Sequence, residues 1–351
     1  MNSFAILVQP RLSSVSHNPG YQILTRTSAF LAGSLEGLVS LSGHEMQGWV
    51  ICLPLIPAQD QATIPGDFNG RQASKVIALS RKLGVKILGV GESVFEELAP
   101  DAASKYGFPI LSSGNVYRAC IIRSLLRQVP KCRGIPLSQL KVVVVGAGGA
   151  LGRLCAQVLA GELRNLVLVG ISEKGFGLLS TQILYETGVS VRLGRELERE
   201  LREADVVLLT DKSYQGWGER EWAQLKPGAW VIMGQYEPKD SIERFRPDIF
   251  LINKLMVTLS KRILFRSRFR FKVLRSLFYA TWPEWINQLT FNKPEIPEIC
   301  NLPVALAETM LLAQDHPLTV SGTESYMKIK CVNQLDQMST RLGFIPQLID
   351  V

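Results

Sequence analysis

The stretch Lys141-Val142-Val143-Val144-Val145-Gly146-Ala147-Gly148-Gly149-Ala150-Leu151-Gly152 decides the fold. Four consecutive valines are β-branched and wholly apolar, the pattern of a strand buried on both faces. Gly146, Gly149 and Gly152 then recur at intervals of three. The following run, Arg153-Leu154-Cys155-Ala156-Gln157-Val158-Leu159-Ala160, places apolar side chains at helical spacing. Strand, glycine turn and helix together are the context that gives a glycine motif its meaning as a nucleotide site. Glycine permits the tight turn and lets a pyrophosphate come close, while the helix N-terminus offers N–H groups and a partial positive charge. Gly146, Gly148, Gly149, Ala150, Leu151 and Gly152 are therefore the candidate cofactor-binding residues. The plain alternative is a tight strand-to-helix turn that holds no ligand.

Downstream, strand-like runs follow at Leu166–Val169, Val206–Leu209, Trp230–Met233 and Ile249–Ile252, with helical segments between them. Such alternation predicts a mostly parallel, helix-covered sheet of Rossmann type. Upstream, Phe4–Val8 and Trp49–Leu55 read as strands, the latter closed by prolines. A helix from about Gln72 to Leu83 ends at Gly84, and Lys86–Val90 reads as a strand. The turn Ser112-Ser113-Gly114-Asn115 opens a helix to about Leu126. Pro130, Gly134 and Pro136 mark the loop Gln128–Leu137 as a boundary. Towards the C-terminus, helices are expected from about Leu302-Pro303 and over about Glu324–Leu342, the last stopped by Gly343. The expected class is α/β. It comprises a smaller N-terminal α/β substrate domain over 1–127, a Rossmann domain over 138–298, and C-terminal helices over 299–351 packing between the domains.

Composition bounds the alternatives. The chain has 351 residues, enough for two domains. A chain of this length buries about 75% of its unfolded surface and needs no covalent staples. Its 46% hydrophobic and 20% charged fractions are globular values. Six cysteines lie without a CxxC pair, and Cys52, Cys120 and Cys155 sit inside apolar segments, which fits a reducing, cytoplasmic setting. His17, His44 and His316 have no ligand spacing, so no metal site is expected. The N-terminus lacks the basic start of a signal peptide, and no apolar run approaches the ~18 residues of a membrane span.

Several blocks, in order, resemble a known family. They are Glu45-Met46-Gln47-Gly48-Trp49 through Leu53-Pro54-Leu55-Ile56-Pro57; Ile87-Leu88-Gly89-Val90-Gly91; Ser113-Gly114-Asn115; the Gly146/149/152 turn; Glu237-Pro238-Lys239; Arg246-Pro247-Asp248; Ala307-Glu308-Thr309-Met310-Leu311-Leu312; and Leu342-Gly343-Phe344. The chain thereby resembles the long-chain acyl-(acyl carrier protein) reductases and the related predicted amino acid dehydrogenases. The resemblance implies reduction of an acyl thioester to an aldehyde with NADPH, by way of an acyl-enzyme on a cysteine at the start of the C-terminal helix. A helix N-terminus favours a thiolate, so that position suits the chemistry.

This sequence departs there. The position matching the nucleophile is Ala305, and a methyl group forms no thioester. Cys300 is the nearest thiol, with an ordinary loop cysteine as the plain alternative. Gly234-Gln235-Tyr236 and Lys254-Leu255 replace glycine-rich turns of the family. The resemblance also places Gly114 and Asn115 at the substrate and Glu308 as an ordering carboxylate, against a helix cap and a buried structural residue as alternatives. Lys254 is a candidate acid/base and Lys239 a candidate phosphate ligand, each against a surface lysine. Ile171 stands where relatives carry arginine, leaving Ser172 and Lys174 to replace the 2′-phosphate contact. No acidic residue ends the run Leu166–Val169, so NADP(H) is slightly favoured over NAD(H).

Between Asp248 and Glu284 there is no acidic residue, and Lys254, Lys261, Arg262, Arg266, Arg268, Arg270, Lys272 and Arg275 fall in that interval. Leu264, Phe265, Phe269, Phe271, Leu274, Leu277 and Phe278 interleave with them. This amphipathic basic segment, an insertion at about 259–280, accounts for much of the net +8 charge. It reads as a surface for an acidic acyl carrier protein or an anionic membrane, or as a solvated helix packed on its domain. No motif supports nucleic acid, and nothing in the sequence sets the oligomeric state. Two readings stand: an NAD(P)H-dependent oxidoreductase with an altered centre, or a non-catalytic nucleotide-binding relative that docks an acidic carrier or a membrane.

Overall fold

In the computed structural model, residues 3–8, 11–12, 28–53, 68–90, 110–212, 214, 217–234, 246–267, 280–281, 298–314 and 329–347 are described. They belong to two units, Met1–Gly114 with Val257–Tyr326 and Gln337–Ile345, and Asn115–Met256 with Met327–Asp336 and Pro346–Val351. The first unit begins with β1 (Ser3–Val8), β2 (Arg11–Leu12), β3 (Phe30–Glu36) and β4 (Gln47–Cys52). Helix α1 (Phe68–Lys82), β5 (Ile87–Gly89) and β6 (Ile110–Ser112) follow. β1 is buried along its whole length and pairs in parallel with both β4 and β5, and β5 pairs in parallel with β6. Ala5, Leu7, Ile51, Leu53, Leu88 and Leu111 of this sheet pack on Val76 and Ile77 of α1. Gly84, at φ 66°, turns the chain out of α1 into β5.

The second unit carries the Lys141–Gly152 stretch. Helices α2 (Asn115–Leu126) and α3 (Val129–Arg133) precede β7 (Lys141–Val145). Then come α4 (Ala150–Ala160), β8 (Asn165–Val169), α5 (Glu173–Thr187), β9 (Arg192–Leu193) and α6 (Leu197–Glu203). β10 (Val206–Leu209), α7 (Glu219–Ala223), β11 (Trp230–Met233) and β12 (Phe250–Ile252) complete it. The strands lie in the order β12-β11-β10-β7-β8-β9, and every pairing is parallel. Counted from β7 as the first strand, that is the 3-2-1-4-5-6 order of the Rossmann fold. All five residues of β7 are buried because both faces are covered. On one face Val143, Val145, Val207, Leu209 and Val231 meet Leu201, Trp222 and Leu225. Helix α4 contacts β7 and β8, and α2 packs against α4.

The chain then returns to the first unit through β13 (Met256–Ser267), β14 (Ala280–Thr281), β15 (Glu298–Pro303) and α8 (Val304–Leu312). Helix α9 (Ile329–Leu342) and β16 (Phe344–Pro346) follow. The sheet runs β15-β13-β3-β4-β1-β5-β6, with β16 beside β13, and β14 pairs β2 separately. The described part of the basic segment is thus a strand rather than a helix. Val257, Leu259 and Ile263 are buried while Ser260 and Arg266, on the opposite face, are exposed, the period of a strand, with exposed Lys261 the exception on the buried face. β13 is antiparallel to β3, and Arg266 lies 3.3 Å from Glu36. Arg268, Arg270, Lys272 and Arg275, with Phe269, Phe271, Leu274, Leu277 and Phe278, lie outside the described residues. So do Gln235, Tyr236 and Lys239.

At the amino ends of β7 and β10 a charge network fixes the Rossmann sheet. Asp205 Oδ2 accepts the Lys141 N–H at 2.9 Å, and Lys226 Nζ donates to Asp205 Oδ1 at 2.7 Å. Lys141 Nζ lies 2.8 Å from Glu200, which also takes a two-pronged contact from Arg192 at 2.7 Å. Burial raises the Asp205 carboxyl. The Lys226 and Lys141 hydrogen bonds and the charges of Lys226 and Arg133 outweigh that and hold it below its ordinary value.

Candidate functional site: the glycine turn and the Ser112–Glu308 cluster

The turn 146–149 leaves the carboxyl end of β7, where the strand order reverses between β8 and β10. Ligands of doubly wound sheets bind outside the carboxyl ends of the strands at that reversal. Gly146 adopts φ 82°. A Cβ on Gly152 would lie 2.3 Å from Gly146 O, 2.7 Å from Thr210 Oγ1 and 2.8 Å from Ala147 Cα. Two of those atoms are backbone, so only glycine lets α4 approach the turn this closely. Gly148 is similarly pressed, with Gly170 O 2.9 Å from where its Cβ would be. Gly149 differs: its Cβ would make contacts of 3.4 and 3.9 Å, and its φ is −77°. The three-residue spacing therefore serves packing at its ends and leaves the middle glycine open.

Gly149 is the N-cap of α4 and makes no side-chain cap hydrogen bond. Gly146 and Ala147 donate N–H to Val169 O at 3.0 and 2.9 Å, Gly148 to Gly170 O at 3.2 Å, and Gly149 to Gly146 O at 3.0 Å. Arg153 N closes the first helical bond to Gly149 O at 3.0 Å. The groups a helix leaves for an anion are then the N–H groups of Ala150, Leu151 and Gly152. Ala150 is exposed while Leu151 and Gly152 are buried. Leu151 Cδ2 would meet a Cβ on Gly234 at 2.5 Å, so the first glycine after β11 is a packing requirement of α4.

Beyond β8, Gly170 (φ 74°) turns the chain toward α5. Ser172 is the N-cap of that helix, its Oγ accepting the Gly175 N–H at 3.1 Å. The hydroxyl hydrogen is not used in that bond. Lys174 is exposed in the first turn, and Glu173 pairs at 3.1 Å with Arg195, which sequence reading passed over.

The other candidates occupy the first unit. Glu308, fully buried on α8, accepts the Ser112 hydroxyl at 2.7 Å and the Gly114 N–H at 2.8 Å through Oε1. Gly114 has φ 85°, and its Cβ would lie 2.8 Å from Ala305 Cα. Gly89 is held against Thr309 in the same way, and Thr309 Oγ1 donates to Ala305 O at 2.6 Å. The matched blocks around Gly89, Ser113-Gly114 and Glu308 thus meet in one packed cluster, with Ala305 in the first turn of α8. Cys300 lies in β15 instead, five residues before Ala305. At a strand rise of about 3.3 Å per residue, its backbone is far from the helix end that would activate a thiol. In the second unit Asn115, 1% exposed, opens α2 and accepts from Arg118 at 3.3 Å. Lys254 is exposed after β12, the edge strand, roughly three strand spacings of about 4.8 Å from β7.

Among the described residues no cluster of His, Cys, Asp or Glu could hold a metal ion, and no helix is long and apolar enough to cross a membrane. Sequence reading missed Thr210 and Asp211, which follow β10 directly. The available signal was their place at the carboxyl end of a strand-like run.

No known protein family matches this chain, and no curated protein sequence does. Solved structures are similar at low identity. D-mandelate dehydrogenase of Rhodotorula graminis is 12% identical over 68% of this chain and 76% of that one, with a TM-score of 0.28. Escherichia coli YhdH with bound NADPH is 18% identical over 39% and 43%, at 0.27. Ornithine carbamoyltransferase of Pyrococcus furiosus is 14% identical over 71% and 78%, at 0.36. At these similarities none bears on what this chain binds or does. The Rossmann assignment rests on its own strand order.

Proposed function

We propose that this chain binds NADPH, and less readily NADH, at the 146–152 turn, and that it is an oxidoreductase acting on a carbonyl substrate. The observation that carries the reading is the glycine turn standing at the order reversal of an all-parallel sheet. The residues present suit the group. The N–H groups of Ala150, Leu151 and Gly152 face a pyrophosphate, and Gly149 leaves it room. The Ser172 hydroxyl and the Lys174 charge receive a 2′-phosphate at the start of α5. When bound, the nicotinamide supplies a hydride.

The resemblance to acyl-(acyl carrier protein) reductases supports an acyl thioester or aldehyde as the substrate class. Glu308 holds the Ser112–Gly114 turn against α8, and Ala305 presents a methyl group where those relatives carry a thiol. This reading therefore involves no acyl-enzyme, and Cys300 and Lys254 have no role in it. Cys300→Ser leaves turnover unchanged.

Ala305 also favours a second reading, a nucleotide-binding relative without catalysis that docks an acidic carrier protein or an anionic membrane through residues 259–280. Acyl carrier protein and coenzyme A thioesters of graded chain length, incubated with each nicotinamide, separate the two. Aldehyde formation supports the first reading. NADPH binding without aldehyde supports the second, and no binding of either nicotinamide removes both.

A further inference from the structure

The end of β10 carries a carboxylate that the site described so far does not use. Thr210 is anchored twice to the end of β7, its N–H and its Oγ1 donating to Val145 O at 3.0 and 2.7 Å. The next residue, Asp211, is thereby turned onto the glycine loop. A Cβ on Gly146 would stand 2.3 Å from Asp211 Cγ and 2.6 and 2.7 Å from its two oxygens. A Cβ on Gly149 would stand 3.9 Å from Asp211 Cβ. Gly146 is thus kept free of a side chain by the Asp211 carboxylate on one side.

The loop donors point away from that space, because the N–H groups of residues 146 to 149 are all spent on backbone carbonyls. A polyphosphate cradle needs those groups directed outward at its oxygens. Here the donors left are those of one helical turn, enough for the edge of a pyrophosphate. A dinucleotide lies across the order reversal with one half on each side. A dinucleotide held in that way would bring the ribose of its half over β10 beside Asp211. A carboxylate is acceptor-only and pairs well with a diol, while it repels further phosphate.

We infer that Asp211 is a specificity-determining residue. Its carboxylate accepts the hydroxyls of the second ribose of a dinucleotide and turns away nucleoside triphosphates. This rests on the nicotinamide reading above and adds the group that selects within it.

The test is calorimetric titration of the full-length wild type, Asp211→Asn and Asp211→Ala with NADPH, ADP and ATP, with thermal melts to confirm folding. ADP has the pyrophosphate and one ribose but lacks the second. Asp211→Ala weakens NADPH about tenfold or more, the usual consequence of losing hydrogen bonds to a charged group. It leaves ADP unweakened and lets ATP bind more tightly than wild type does. Equal or tighter NADPH binding by folded variants overturns the inference and leaves the nicotinamide reading intact. Equal weakening of NADPH and ADP also overturns it, because the carboxylate would then only shape the loop. If the wild type binds neither NADPH nor NADH, the nicotinamide reading itself fails and this inference with it.

Discussion

Gly152→Ala is the sharpest perturbation of the site. The added methyl would stand 2.3 Å from Gly146 O and 2.8 Å from Ala147 Cα. An ordinary carbon–oxygen contact is about 3.3 Å or more, so the start of α4 must retreat by about 1 Å. Neither backbone atom can swing aside as a side chain tip would. Overpacking of this kind costs about 1–3 kcal/mol. For a unit of this size each kcal/mol lowers the melting temperature by about 2–4 °C, so a fall of about 2–12 °C is expected. The same retreat moves the Ala150 and Leu151 N–H groups from the pyrophosphate, and a misplacement near 1 Å can cost about 100-fold. Gly149→Ala is the control for the melt alone, because its Cβ has room in the fold and its φ is ordinary, while its methyl would enter the space left for the pyrophosphate. The assay is a thermal melt paired with an NADPH titration for both variants. Wild-type stability and wild-type affinity in Gly152→Ala would refute the packing role assigned to the third glycine.

Other outcomes follow from the same geometry. Asp205 has a folded pKa below its unfolded value of about 3.9, so its contribution to stability is present above pH 4 and lost as pH falls through the folded pKa. Asp205→Asn should cost about 1–3 kcal/mol in urea melts at pH 7, with the difference shrinking below about pH 4; a constant difference would contradict it. Glu308→Ala strips the acceptor from two buried donors and should cost about 2–5 kcal/mol, whereas Glu308→Gln keeps an oxygen there and should cost less. Identical melts for the two would show that the acceptor is not what matters. Burial pushes the Cys155 thiol up to about 12 and raises that of Cys52 as well, while Cys132 is exposed. Alkylation of the native protein near pH 8 should therefore mark Cys132 and spare Cys52 and Cys155, which peptide mass mapping reads directly.

The Rossmann sheet was legible because its information is local. A strand buried on both faces must be apolar throughout, and the runs Val206–Leu209 and Trp230–Met233 coincide with β10 and β11. The glycines marked where backbone meets backbone. β13 was not legible as a strand, because Lys261, Arg262 and Arg266 among apolar residues suit an amphipathic segment of either period. Its partner β3 lies far away in the sequence and decides the matter. The strand character of Glu298–Pro303 depends on the same sheet and was equally hidden. Glu308 could be read as an unusual carboxylate in an apolar helix, but its partners Ser112 and Gly114 are supplied by the fold. Asp211 was marked in sequence only by its place after the run Val206–Leu209, and the pairing of β7 with β10 is what brings it to Gly146.

On the proposed reading, the 146–152 turn holds a nicotinamide dinucleotide. Calorimetric titration of the full-length wild-type chain with NADPH and with NADH tests it most directly. Saturable binding near one equivalent, tighter for NADPH and weakened in Gly152→Ala, is the result expected. Absence of binding by both nucleotides to the folded chain would contradict it.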